Sequence, residues 1–289
     1  SLLGFVLVAI TVYHLKYELE ELKKEKFDYA GAVIYILSIV LLMIGVSLFP
    51  DIKGFTVLAA GLLLLIIFYF FEAKLPNPVF DVNLFKNNRT FTFSNFAALI
   101  NYSATFAISF LMSFYLQSVK GLNPQDAGII LVTQPVVQAL FSPLTGRLSD
   151  KIEPQFVASM GMGLLTAGLI IFCFLSADMS FLIIIGNLAL LGLGFALFSS
   201  PNVNAVMSSV EKKFYGVASS TLASMRLIGQ MLSMGMVIVI FTIYIGSAKI
   251  TSENQAAFLQ STRTAFILFS ILCFIGIFAS LSRGKIHST

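Results

Sequence analysis

Long apolar runs, each almost free of charge, restrict the folds open to this chain. A helix of about 20 apolar residues crosses the hydrocarbon core of a bilayer, and runs of that length recur throughout the sequence. They are continuous rather than alternating, which excludes a transmembrane β-barrel. The candidate spans are 1–13 (incomplete), 29–48, 55–73, 91–116, 125–145, 155–176, 180–200, 216–245 and 259–282. The sequence therefore predicts an all-α, polytopic bundle of membrane helices.

Composition supports this prediction and excludes several classes of partner. Only 11% of the 289 residues are charged, against about 25% in a soluble domain. The cations lie in short loops between apolar runs, which argues against nucleic-acid binding and leaves the lipid bilayer as the expected partner. Cys173 and Cys273 lie inside apolar runs, without the spacing of a metal site or a disulfide framework. We expect no metal and no catalytic residues.

The distribution of Lys and Arg predicts the orientation of the chain. Of the 18 Lys and Arg residues, thirteen lie in one alternating set of loops and only three in the loops between them. The richer set is Lys16, Lys23, Lys24, Lys26, Lys74, Lys86, Arg89, Arg147, Lys151, Lys212, Lys213, Arg283 and Lys285. Because cytoplasmic loops are enriched in Lys and Arg, these loops and the C-terminus are expected in the cytoplasm, with the chain in the cell (inner or plasma) membrane.

One charged turn, TGRLSDKIEP at 145–154, stands between two apolar runs. Its segment GRLSDKI resembles the loop signature of the major facilitator superfamily, which recurs between the second and third helices of each six-helix half. Residues 153–155 replace the expected Gly-Arg-Arg. The stretches 114–135, 192–202 and 216–238 are similar to the fourteen-helix drug/proton antiporter branch, so the resemblance covers nearly the whole chain.

The resemblance implies a division of the chain into parts. These are a truncated last helix of the N-terminal half (1–13), a cytoplasmic loop (14–28), a linker hairpin (29–75), a cytoplasmic connector (76–90), the C-terminal six-helix bundle (91–283) and a cytoplasmic tail (284–289). About five helices would precede residue 1, so the N-terminal half is an expected partner of this fragment.

The resemblance also implies a function, which is proton-coupled efflux of drugs or other amphipathic organic compounds by alternating access. The proton gradient would then be the energy source, with no cofactor. Every Asp and Glu lies in a loop or at the edge of a span, so coupling is implied by the resemblance alone. The alternatives are export of a metabolite, peptide or siderophore on the same fold, a non-transporting membrane sensor, or an intramembrane enzyme. We expect no enzyme, because the serines inside spans have no His or carboxylate partner.

Polar residues at helical spacing predict a cargo path. In 91–116 and the following span, amides and hydroxyls recur every four residues, and such transporters bind cargo near the bilayer midplane. The candidates for a substrate cavity are Asn101, Tyr102, Thr105, Gln134, Gln138, Asn187, Arg226 and Gln230. The alternative is that these groups bond their own backbone or a neighbouring helix.

Arg226 has two interpretations. If its helix starts at Tyr215, Arg226 lies about 16 Å into the span. Otherwise 227–245 is nearly a full span, and Arg226 snorkels to the cytoplasmic surface.

The charged turn is expected to act as a cytoplasmic gating loop formed by Gly146, Arg147, Asp150 and Lys151. Asp150 would accept backbone N–H bonds at a neighbouring helix N-terminus. Arg147 and Lys151 would bind carboxylates or lipid phosphates. The alternative is that the turn carries positive charge for topology alone. The glycines at 161, 163, 192, 194, 229 and 235 are expected to permit close helix packing.

Overall fold

The computed structural model describes residues 28–48, 51–73, 82–246 and 254–284. The parts predicted for 1–27 and 285–289 lie outside these ranges. Every regular element in the described ranges is helical. The helices are α1 (Tyr29–Ser47), α2 (Ile52–Glu72), α3 (Val82–Asn87), α4 (Arg89–Thr105), α5 (Ile108–Phe114), α6 (Pro124–Leu131), α7 (Thr133–Lys151), α8 (Pro154–Cys173), α9 (Phe181–Ser208), α10 (Tyr215–Tyr244) and α11 (Gln255–Leu281).

Eight of the segments in the described ranges are long and apolar enough to cross a membrane. They are Tyr29–Ser47, Ile52–Glu72, Arg89–Val119, Pro124–Lys151, Pro154–Cys173, Phe181–Ser208, Lys212–Tyr244 and Gln255–Leu281. Each overlaps one predicted span, which confirms the all-α, multi-pass fold.

Side-chain caps explain where several helices begin. Asp28 accepts the N–H of Gly31 at 2.9 Å ahead of α1, and Asn88 accepts the N–H of Phe91 at 2.9 Å ahead of α4. Ser180 accepts the N–H of Ile183 at 3.4 Å ahead of α9. Short polar side chains at these positions bond N–H groups that have no partner within the helix. The polar residues between the apolar runs therefore set the helix starts.

Two of the spans are interrupted. The segment Arg89–Val119 breaks at Phe106 and Ala107 and ends in a π-helical turn, Tyr115–Val119. At the break the N–H of Ala107 donates to Ser233 Oγ of α10 at 3.0 Å, so a side chain replaces the helical acceptor. The second interruption, at Val132 between α6 and α7, lies just before Pro135, which has no N–H to donate.

Glycines let the helices of the bundle approach closely. A Cβ atom on Gly161 of α8 would lie 2.6 Å from the Phe198 N atom of α9, and one on Gly229 of α10 would lie 2.6 Å from the Leu99 O atom of α4. These positions agree with the predicted close packing. Gly163 does not support the predicted close packing, because a Cβ there would meet no atom of a neighbouring helix within 4 Å.

Hydrogen bonds join the helix ends on one side of the bundle. Arg89 Nε donates to Ser282 O at 2.7 Å, and Asn88 Nδ2 donates to Ser209 O at 2.5 Å. Asn204 of α9 donates to Ser149 of α7 at 2.7 Å. We call this side the basic end, because Arg89, Arg147, Lys151, Lys213 and Arg283 all lie there. At the opposite end, the Tyr115 hydroxyl donates to Ser176 O at 2.7 Å and Lys120 Nζ to Ala177 O at 2.6 Å.

Candidate functional site

A cavity of about 440 Å³ lies partway along the bundle, between α4, α5, α7, α9 and α10. It is lined by Tyr102, Thr105, Phe106, Ser109, Phe110, Gln134, Phe195 and Met234. Tyr102 is about 20 Å from Arg89 at 1.5 Å per residue, near the middle of the segment Arg89–Val119. The cavity is therefore at the depth expected for a cargo site in a membrane bundle.

The interrupted segment Arg89–Val119 supplies most of the cavity wall. Tyr102, Thr105, Phe106 and Ser109 follow the spacing of a single helix face. The break at Phe106 and Ala107 falls within this face, so the cavity lies where the backbone departs from a regular helix.

The lining combines aromatic rings with a few polar groups. The rings of Tyr102 and Phe195 lie 6.4 Å apart between centroids and are tilted by 50°. The Thr105 hydroxyl donates to Asn101 O at 2.6 Å, and the Gln134 side chain is largely buried. Apolar walls with a small number of polar groups are typical of sites for small organic ligands. The geometry therefore suits an amphipathic compound with aromatic character.

Arg226 lies beside this cavity. The helix α10 begins at Tyr215, which is the condition under which Arg226 lies about 16 Å into the span. Its guanidinium carbon is 5.5 Å from the centroid of the Tyr102 ring, within the range of a cation–π contact. Its Nε atom is buried and has no hydrogen-bond partner among the residues that the structure describes. Within the described ranges the only ion pair is Lys213–Glu211, at 2.9 Å and well exposed, so no acidic side chain neutralises Arg226 there.

The remaining predicted cavity residues do not line the cavity. Asn101 is fully buried, and neither polar atom of its side-chain amide has a hydrogen-bond partner in the described part of the chain. Asn187 donates to Gly168 O at 2.9 Å, a contact between α9 and α8 of the kind considered as the alternative. Gln138 and Gln230 are partly exposed and are also absent from the lining. The assignment of these four residues to a cargo path stays a prediction.

Five lining residues are absent from the predicted cavity residues, namely Phe106, Ser109, Phe110, Phe195 and Met234. Met234 continues the face of Arg226 and Gln230 at intervals of four residues, so this spacing was a usable signal. Phe195 and Phe110 lie in apolar runs among many phenylalanines, and nothing in their spacing distinguishes them from residues that face lipid.

The predicted charged turn is helical. The helix α7 continues to Lys151, and only Ile152 and Glu153 separate it from α8. The expectation of a loop starting near 146 is thus wrong, because no proline follows Pro143 until Pro154 and a single glycine, Gly146, costs a helix only about 1 kcal/mol. Ser149 is buried and accepts from Asn204, while Arg147, Asp150 and Lys151 are exposed. In the described ranges no hydrogen bond or ion pair involves the Asp150 side chain, and the gating role stays a prediction.

The burial of Arg283 is another feature that the sequence did not reveal. Although the sequence groups this residue with the loop cations, its side chain is only 1% exposed. Within 28–48, 51–73, 82–246 and 254–284, none of its three guanidinium nitrogens has a hydrogen-bond partner. The guanidinium carbon lies 5.8 Å from the Phe198 ring centroid. Burial lowers the pKa of Arg283 to about 9, which still leaves the group charged at neutral pH. A buried, unpaired charge carries a large desolvation cost.

Comparison with known proteins agrees with this architecture. The model of the Major Facilitator Superfamily matches residues 94–286. The riboflavin transporter RibZ of Clostridioides difficile is 29% identical over 95% of this chain and 60% of its own length. The multidrug resistance protein Stp of Mycobacterium tuberculosis is 25% identical over 78% of this chain and 43% of its own. The multidrug transporter protein MdtP of Bacillus subtilis is 28% identical over 70% of this chain and 38% of its own. The chain thus spans 60% or less of the length of these relatives.

Proposed function

Because the chain belongs to the major facilitator superfamily, we propose that the whole protein is a secondary active transporter. It exports drugs or other amphipathic organic compounds in exchange for protons. The observation that carries this proposal is the mid-depth cavity, whose wall combines Tyr102, Phe106 and Phe195 with the amide of Gln134. Such a wall binds organic rings by apolar contact and orients them by a few hydrogen bonds.

In this proposal the bundle α4–α11 forms one wall of the cargo path. An N-terminal half of the same protein forms the other wall, and the two rock about the cavity in alternating access. The hairpin α1–α2 lies beside the bundle and contacts α10, since a Cβ on Gly235 would lie 2.8 Å from Val46 Cγ1. Its many exposed apolar side chains suit contact with lipid.

Proton coupling requires a titratable group in the cargo path. Every Asp and Glu in the described ranges lies at a helix end or between helices, so the coupling group belongs to the other half. The basic end faces the cytoplasm, because Lys and Arg are enriched in the loops on the cytoplasmic side of a cell membrane. At this end Arg147, Asp150 and Lys151 form and break contacts as the cavity opens inward.

The relatives support organic cargo of two kinds. Two are named as multidrug proteins, which favours drug efflux. One is named a riboflavin transporter, which favours the second candidate function, transport of a metabolite on the same fold.

Everted vesicles that contain the full-length protein test the proposal. With an inward-acid proton gradient imposed, chemically varied drugs and dyes are added one at a time, and the gradient is followed with a pH-sensitive dye. Drug-dependent dissipation, absent from vesicles without the protein and reduced by Tyr102→Ala, is the expected result. If a broad panel leaves the gradient unchanged while a metabolite such as riboflavin is moved, drug/proton exchange is the wrong activity and the metabolite transporter is the right one.

A further inference from the structure

We infer that Arg226 and the rings of Tyr102 and Phe195 form a subsite that selects anionic aromatic cargo over cationic aromatic cargo. This inference rests on the proposed transport function and specifies the substrate class of the same cavity. It differs from general efflux of amphipathic compounds, because it assigns a charge preference to one named side chain.

The position of Arg226 is the first support. The residue lies about 16 Å from the start of α10 at 1.5 Å per residue, and its guanidinium stacks on Tyr102, a residue of the cavity wall. Arg226 does not itself line the cavity, but its guanidinium lies over the ring of Tyr102, which does. A charged side chain at this depth is costly and is generally retained for a function.

The absence of a counter-ion is the second support. Arg226 forms no ion pair with any residue that the structure describes, and its buried Nε has no acceptor. No Asp or Glu occurs within the facing segments Arg89–Val119 and Phe181–Ser208. A partly buried charge without a partner favours an incoming anion, which supplies the missing acceptor.

The geometry of the aromatic groups is the third support. Tyr102 holds the guanidinium by its ring face at 5.5 Å and lies 6.4 Å from Phe195 between centroids. A ligand ring against Phe195 and Phe106 would carry an attached carboxylate within the neighbourhood of Arg226. Arginine presents a planar pair of donors that matches a carboxylate. A cation in the same place would meet the like charge of Arg226, for which the described residues supply no counter-ion, and this opposes binding.

Two dyes with the same tricyclic ring system separate charge from shape. Fluorescein is anionic at pH 7.5 and rhodamine 123 is cationic, and both contain a xanthene core. Binding of each dye to the purified full-length protein in lipid nanodiscs is measured by fluorescence anisotropy. We expect fluorescein to bind about tenfold or more tightly than rhodamine 123, the scale of one charge-assisted hydrogen bond.

Substitutions of Arg226 assign the preference. Arg226→Gln should abolish the tighter binding of fluorescein without weakening that of rhodamine 123. Arg226→Lys keeps the charge, so it should retain a reduced preference for fluorescein, and it serves as the test if the Gln variant fails to fold. Lys213→Gln removes an exposed cation from the basic end and should leave the ratio of the two affinities unchanged.

The outcomes separate this inference from the proposed function. Tighter binding of rhodamine 123, or an affinity ratio that is the same in the parent protein and in Arg226→Gln, overturns the inference even if vesicles exchange drugs for protons. A preference for fluorescein that depends on Arg226 supports the subsite even if no drug dissipates the proton gradient. In that case only drug/proton exchange is wrong.

Discussion

The contact between α4 and α10 beside the cavity is close enough that a single methyl group should disturb it. We predict that Gly229→Ala destabilises the protein and weakens ligand binding. A Cβ atom at this position would lie 2.6 Å from Leu99 O, 2.9 Å from Tyr102 Cβ and 3.1 Å from Ser103 N. Ordinary contacts between such atoms are about 3.5–4.0 Å. The two helices must therefore separate by roughly 1 Å, because two of the three neighbours are backbone atoms that cannot rotate away.

The size of the effect follows from two opposing contributions. Overpacking a well-packed interface costs about 1–3 kcal/mol. Replacing a helical Gly with Ala returns up to about 1 kcal/mol through helix propensity. With the full gain in helix propensity, the net expectation is a destabilisation of about 0–2 kcal/mol. Since Arg226 lies one turn before Gly229, the same shift displaces its guanidinium from the Tyr102 ring and lowers affinity for cavity ligands.

Gly163→Ala is the matched control, because it adds the same methyl group inside a helix at a position where the new Cβ would meet no atom of a neighbouring helix within 4 Å. It should be neutral or slightly stabilising. The apparent midpoint of thermal unfolding of each detergent-solubilised variant, read by size-exclusion chromatography after heating, gives the comparison. If Gly229→Ala is as stable as Gly163→Ala, the close approach of α4 and α10 is not as described, and the reasoning fails.

Three further substitutions test other contacts. Ser233→Ala removes the acceptor of the buried Ala107 N–H. It should lower the free energy of unfolding by about 1–3 kcal/mol, seen as a lower thermal midpoint. Ser233→Thr keeps the hydroxyl and should lower the midpoint less. Arg283→Met should raise the midpoint, because replacing a buried charge with an apolar group of similar volume is often stabilising by about 1–4 kcal/mol. Burial lowers the pKa of Arg283 below its value in the unfolded chain. The free-energy cost of burying the charge is therefore fully present at neutral pH and declines only as pH rises above about 9. A lower midpoint in that variant would mean that the guanidinium has an anionic partner. Asp150→Asn should slow transport but leave the thermal midpoint unchanged, because the carboxylate is exposed. An unchanged transport rate would mean that the charges at 147–151 only set the orientation of the chain in the membrane.

Part of the cavity could be predicted because its signal lies within single helices. Thr105 belongs to a polar spacing along one helix, with Tyr102 beside it, and Gln134 belongs to the same spacing in the next helix. The break at Ala107 had no such signal, because its cause is the hydroxyl of Ser233 on another helix. Likewise, nothing near Asn187 in the sequence shows that its partner is Gly168.

The sequence by itself determined how many of the described segments are long and apolar enough to cross the membrane and roughly where each begins. A span must satisfy its own backbone hydrogen bonds in lipid, so length, apolar character, caps and prolines act locally and can be read in order. Only the tertiary structure decided which side chains meet. Arg226 stacks on Tyr102, Phe195 joins the cavity wall and Arg283 is buried against Phe198 because of how separate helices pack, and helix packing depends on contacts between residues far apart in the chain.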